Sequence, residues 1–238
     1  MGTLCAGAAI GADEADGGES FRAGSEHLRT RDYEAARSAF ESAVQQNPEH
    51  VEAWFKLGLT RAGMRDWPAA LEAYQRTVEL DPAHVKAYNN IANVHYRQGR
   101  YEPAAVWYAK ALELDPDYLL ALFHYGWVLR HLNRPDEAET AFSHCLDVPA
   151  QSNREKSTQI DCLYYLGALK SRAGDHRGTV AAMERVLSLK PGHVEARYYL
   201  GMAYRKLGRI EDARRELEIH RQMLRAARGS KTMQRQPE

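Results

Sequence analysis

The sequence predicts an all-α protein, a right-handed solenoid of stacked antiparallel helix pairs. Three observations carry that prediction. Prolines recur in matching contexts every 34 residues, as QQNPEH at Pro48, ELDPAH at Pro82 and ELDPDY at Pro116. Small and bulky side chains recur in columns that keep the same register. The composition is dense in Ala, Leu, Glu and Arg, which favour helix, with nine prolines and 17 glycines among 238 residues. A fixed period of this length is the mark of a repeat architecture.

In chain order, residues 1–16 hold many Gly and Ala, three acids and no base, and are expected to be a disordered leader. Six units then start near Gly17, Val51, Val85, Leu119, Ile160 and Val194, with residues 17–150 holding the first four. The small column runs Gly24, Gly58, Ala92, Gly126, Gly167 and Gly201. A second runs Ala36, Ala70, Ala104, Ala138, Thr179 and Ala213. The bulky column runs Phe40, Tyr74, Tyr108, Phe142, Met183 and Leu217. Helices cross closely only where side chains are small, and a bulky neighbour fills the space beside the crossing. Within units the apolar spacing is helical, as in Trp54, Leu57, Gly58 and Arg61. Gly99, Gly174 and Gly208, with Asn133 in the same place, suit a left-handed turn between paired helices. Pro48, Pro82, Pro116 and Pro191 begin the connections between units, where proline cannot extend the helix.

These columns resemble the tetratricopeptide repeat (TPR) family over roughly residues 17–227. The unit AYNNIANVHYRQGRYEPAAVWYAKALELDP lies nearest the family pattern. It is also similar to repeats of the O-linked N-acetylglucosamine transferase superhelix, although a catalytic domain of that kind is not expected here. The resemblance implies the solenoid fold and a role in binding proteins.

Two departures matter. Pro191 follows Pro116 by 75 residues, seven more than two periods. Residues 151–159 are therefore an insertion, and seven residues are nearly two helical turns. Ser152-Asn153-Arg154-Glu155 has capping-box form. A backward extension that projects from the stack is expected at the first helix of unit five. The last helix of residues 160–227 runs on to Arg228 as a terminal cap rich in arginine. Residues 228–238 are expected to be a disordered basic tail.

A second face of each first helix should line a concave groove. It contains Phe55 in unit two, Lys86, Asn89, Asn93 and Tyr96 in unit three, and Leu120, Phe123 and Trp127 in unit four. Tyr164 and Tyr198 continue it in units five and six, and Arg97, His131, Arg172 and Lys206 mark a basic rim. Aromatic anchors would supply binding energy and the asparagines would hydrogen-bond a peptide backbone. The clamp with which some TPR co-chaperones hold a chaperone's C-terminal carboxylate is not assembled. Only Asn90, Asn93 and Lys86 match it, and Phe21 and Phe55 stand where its first lysine is needed.

No catalytic, cofactor or metal site is expected. His50, His84 and His193 fall in equivalent turns and read as structural. The 32 basic and 32 acidic side chains balance, which disfavours nucleic acid. No stretch approaches a membrane span. Cys5, Cys145 and Cys162 are odd in number and far apart, so free thiols in a reducing, cytoplasmic compartment are expected. The expected function is a non-enzymatic scaffold or adaptor holding a protein or peptide in the groove. The alternatives are a self-assembling structural protein and an accessory module of a transferase acting in trans.

Overall fold

The computed structural model describes residues 17–233, with side chains described through Ala227. The expected leader 1–16 and the last five residues lie outside the described residues. Twelve helices run through the described residues, and the chain divides at Pro116 into two compact units.

The first unit contains α1 (Gly18–Arg29), α2 (Tyr33–Gln46), α3 (Val51–Gly63), α4 (Trp67–Leu80), α5 (Val85–Arg97) and α6 (Tyr101–Leu114). The second contains α7 (Leu119–His131), α8 (Pro135–Asp147), α9 (Asn153–Ala173), α10 (His176–Leu189), α11 (Val194–Lys206) and α12 (Ile210–Met233). Each odd-numbered helix packs on the even-numbered helix that follows it. Within each unit the even helices pack in turn on the next odd helix, so the pairs stack.

The columns meet inside each pair. A Cβ on Gly24 would lie 2.8 Å from the Phe40 ring, one on Gly58 2.5 Å from Tyr74, and one on Gly126 2.8 Å from Phe142. In these three pairs the bare backbone of the odd helix serves as the seat for a ring from its partner. Phe40, Tyr108 and Phe142 are wholly buried, as are Ala36, Ala70, Ala104 and Ala138. Trp54 is half-buried, and its Nε1 donates to the Pro48 carbonyl at 2.9 Å, tying the helix to the connection before it.

All six turns within pairs use one left-handed residue. Gly99, Gly174 and Gly208 have φ of 72°, 81° and 77°, and Asn133 has 57°. Arg31 and Arg65, at φ 62° and 63°, fill the same place in the first two pairs. A β-carbon there costs about 1–2 kcal/mol, and arginine lacks the local hydrogen bond by which asparagine tolerates it.

The histidines between pairs are helix N-caps. Nδ1 of His50, His84 and His193 accepts from the backbone N–H of Ala53, Ala87 and Ala196 at 3.3, 3.2 and 3.3 Å. Each ring also stacks on an aromatic residue of the preceding odd helix. The centroid distances are 4.8 Å for Phe21–His50, 4.6 Å for Phe55–His84 and 4.7 Å for Tyr164–His193. An accepting Nδ1 must be unprotonated. Burial, helped by Lys190, lowers the His193 pKa, while Glu195 and Asp161 oppose the shift. The unfolded chain therefore binds this proton more readily than the folded one. Stability contributed here is complete above the unfolded value of 6.5 and is lost as pH falls below it. The second unit should melt at progressively lower temperature as pH is lowered from 7.5 towards 5. His193→Asn, which caps without titrating there, should flatten that slope in a calorimetric pH series.

The insertion becomes part of α9. Ser152 Oγ accepts from the Glu155 N–H at 3.2 Å, and Glu155 Oε2 accepts from the Ser152 and Gln151 N–H groups at 3.1 and 2.6 Å. The helix starts at Asn153, and its exposed first turns give way to the buried Thr158. Gln159 Nε2 donates to the Val148 carbonyl at 2.6 Å and the Cys145 carbonyl at 3.2 Å, satisfying acceptors left open by the end of α8. Cys145 and Cys162 form a disulfide at the same place, both wholly buried. This overturns the free-thiol expectation. The two cysteines, 17 residues apart, stand at the repeat positions of Ala43 and Ala53, where α9 packs on α8 as α3 packs on α2. At the other end, α12 continues to Met233, past the Arg228 limit expected from the sequence.

Candidate functional site

The expected groove residues divide sharply once packed. In the first unit Phe55 is 6% exposed and sits between Tyr74 and His84, inside the cluster with Ala87, Ile91 and Val94. It is a core residue and is withdrawn as an anchor. Asn89 is 4% exposed, with Nδ2 donating to Asn90 Oδ1 at 3.3 Å. Asn93 accepts from the buried Tyr108 hydroxyl at 2.6 Å and donates to Asn90 at 3.3 Å. These two amides form a ladder within the packing of the first unit and do not stand open mid-groove. Lys86 is exposed and Tyr96 half-buried.

In the second unit the odd helices α7, α9 and α11 lie side by side. Phe123 and Trp127, one turn apart on α7, are half-buried, as is Leu120. Phe123 follows the register of Phe55, but the insertion removes the histidine cap it would stack on. It meets Tyr165 of α9 instead, with centroids 6.0 Å apart, and touches Phe142 below at 6.4 Å. Tyr165 and Phe142 stack at 5.7 Å and 17°. The aromatic chain continues through Tyr164 to Tyr199 at 5.9 Å, and Tyr199 to Tyr198 at 5.9 Å on α11. Tyr198 is 44% exposed. Burial, with Tyr199 and Tyr165 beside it, pushes the Tyr164 hydroxyl up to about 12, so that hydroxyl is uncharged at neutral pH.

One cation lies against the rings of this strip. The Arg130 guanidinium sits 5.6 Å from the Trp127 ring centroid and 5.2 Å from that of Tyr165. Its Nε is buried and has no hydrogen-bond partner. Arg37 and Arg197 also bury Nε, yet their other nitrogens reach Glu34 at 2.8 Å and Glu216 at 2.7 Å. Arg130 has no carboxylate among the described residues. His131 stacks on Trp127 at 3.7 Å, and its pKa is lowered by burial and by Arg130. The arrangement is a half-open aromatic surface holding one cation in place by its ring faces. Sequence reasoning missed Arg130, Tyr165 and Tyr199. The available signal was the repeated Tyr164-Tyr165 and Tyr198-Tyr199 doublet in one register.

Among the described residues no group of three or more histidine, cysteine or acidic side chains is placed to hold a metal ion. No described helix is long and apolar enough to cross a membrane. Family models of the tetratricopeptide repeat match residues 21–62 and 57–118, 107–140, and 172–226. The chain belongs to the tetratricopeptide repeat family. The unmatched stretch between residues 140 and 172 contains the insertion that starts α9 early, at Asn153, and breaks the 34-residue period.

Solved TPR-like structures confirm the fold. YrrB, described as a TPR protein with an unusual peptide-binding site, is 22% identical, with a TM-score of 0.68 over 79% of this chain and 93% of its own. PilF of Pseudomonas aeruginosa is 18% identical, with a TM-score of 0.70 over 89% and 93%. A tetratricopeptide repeat protein of Parabacteroides merdae is 18% identical, with a TM-score of 0.66 over 85% and 78%. No curated protein matches this sequence.

Proposed function

We propose that this TPR protein is a non-enzymatic adaptor that binds a protein or peptide partner on the aromatic strip of α7, α9 and α11. The observation that carries the reading is Arg130. A guanidinium pinned between Trp127 and Tyr165, with no carboxylate partner among the described residues, is preorganised to bind a carboxylate or carbonyl from outside the chain. Around it, Phe123, Leu120 and Tyr198 offer apolar contact of the kind that dominates interface energetics. YrrB, with its described peptide-binding site, supports the reading by fold alone.

Compartment bears on which partners are met. The reducing, cytoplasmic setting expected from the cysteine count is opposed by the Cys145–Cys162 bridge, which favours an oxidising one. A thiol titration decides between them.

The test begins with a random peptide library panned on the immobilised full-length protein. The enriched peptides should bind the Phe123→Ala/Trp127→Ala variant at least about tenfold more weakly, an effect of one or two lost aromatic anchors. Far-UV circular dichroism should show the variant's helicity unchanged. Equal affinity for both proteins, or failure of any peptide to enrich, would contradict the proposal.

A further inference from the structure

A second cationic place lies in the first unit. The turns after α3 and α5, one repeat apart, bound a notch of about 560 Å³ lined by Arg65, Trp67, Tyr96, Arg97, Gly99 and Tyr101. Trp67 opens α4 and packs partly against the core. The rings of Tyr96 and Tyr101 lie 6.2 Å apart. Gly99, with nothing within 4 Å of where its Cβ would stand, leaves the floor open.

Arg65 and Arg97 are both exposed, and among the described residues neither is in an ion pair or a side-chain hydrogen bond. The nearest acid in sequence, Asp66, is occupied as the N-cap of α4, with Oδ1 accepting from Ala69 N–H at 3.3 Å. Arg65 keeps its side chain at a left-handed position where three later turns use glycine. Arg31 shares that conformation, so the backbone alone does not single Arg65 out. What does is the company of Arg97 and three aromatic residues around one cavity.

We infer that this notch receives an acidic segment of a protein partner, with a carboxylate between Arg65 and Arg97 and a neighbouring aromatic or aliphatic side chain against Trp67, Tyr96 and Tyr101. Guanidinium forks match carboxylates in plane and in donor spacing, and the aromatic faces accept what flanks the charge. Two cations in one open notch on a chain of zero net charge suit a short acidic sequence; a nucleic acid wants a long basic stripe. The inference uses no residue of α7, α9 or α11, so it and the groove reading can fail separately.

The test uses full-length protein and two fluorescein-labelled pentapeptides, Leu-Glu-Tyr-Asp-Leu and its amide counterpart Leu-Gln-Tyr-Asn-Leu, followed by fluorescence anisotropy. The acidic peptide should bind, and its affinity should fall as salt is raised. Arg97→Gln and Arg65→Gly should each weaken it by about tenfold, the scale of one charge-assisted hydrogen bond. Arg65→Gly relieves a left-handed arginine, so loss of binding there cannot be ascribed to unfolding. Phe123→Ala/Trp127→Ala should bind the acidic peptide as the unmodified protein does. The inference is overturned if the amide peptide binds equally well, if neither arginine variant changes the affinity, if the groove variant abolishes binding, or if the acidic peptide does not bind.

Discussion

Phe142→Ala should cost the second unit about 3–5 kcal/mol, the range for removing a large buried aromatic side chain. Phe142 is wholly buried and its ring occupies the seat left by Gly126, where even a Cβ would stand 2.8 Å away. The same ring carries Tyr165 in a near-parallel stack at 5.7 Å and touches Phe123 at 6.4 Å. Its removal opens a cavity that rigid helix backbones on both sides cannot close. Gly126→Ala should destabilise from the opposite direction, because the added methyl meets the ring. The two changes share one space, so the double variant should be less destabilised than the sum of the single ones. Urea unfolding followed by circular dichroism checks all three proteins. A loss below about 1 kcal/mol for Phe142→Ala would mean that the small and bulky columns do not interlock as described.

The second large effect belongs to the disulfide. Closing a loop of roughly 15 residues removes about 3 kcal/mol of unfolded-chain entropy, and Cys145 and Cys162 are separated by 17. Reduction should therefore lower the melting temperature by about 6–12 °C, at 2–4 °C per kcal/mol for a chain of this size. Cys145→Ser/Cys162→Ser should melt at the lower temperature with or without reductant. Thiol titration of the denatured protein should find one reactive cysteine before reduction and all three after it. Three before reduction would show that the bridge is absent from the protein as isolated.

The fold was legible because a 34-residue period repeats one packing solution. Gly58 with Tyr74, and Gly126 with Phe142, are the same contact written twice, and the columns expose it without coordinates. The left-handed turns were legible where Gly99, Gly174, Gly208 and Asn133 mark them. Arg31 and Arg65 adopt the same conformation without a residue type that announces it. The groove was harder to see, because one register holds residues of opposite fate. Phe55 and Tyr164 stack on the histidine 29 positions later, whereas Phe123 has lost that partner to the insertion. Both the aromatic and histidine columns were visible, but their meeting depends on how one pair stacks on the next. The disulfide was hidden for a similar reason. Cys145 and Cys162 hold the repeat positions of Ala43 and Ala53, which share one core cluster in the first unit, so they meet only through the stacking of one pair on the next.

The central claim is that the face of α7, α9 and α11 bearing Phe123, Trp127 and Arg130 is where a partner binds. Photo-cross-linking tests it most directly. A benzoylphenylalanine is placed at Trp127, and in a second protein at Leu189, which is 57% exposed on α10 of the same unit. Each is irradiated with a peptide enriched from the library. The account predicts cross-linked peptide from position 127 and none from position 189. Cross-linking from 189 alone would place the binding surface on the even-numbered helices and contradict it.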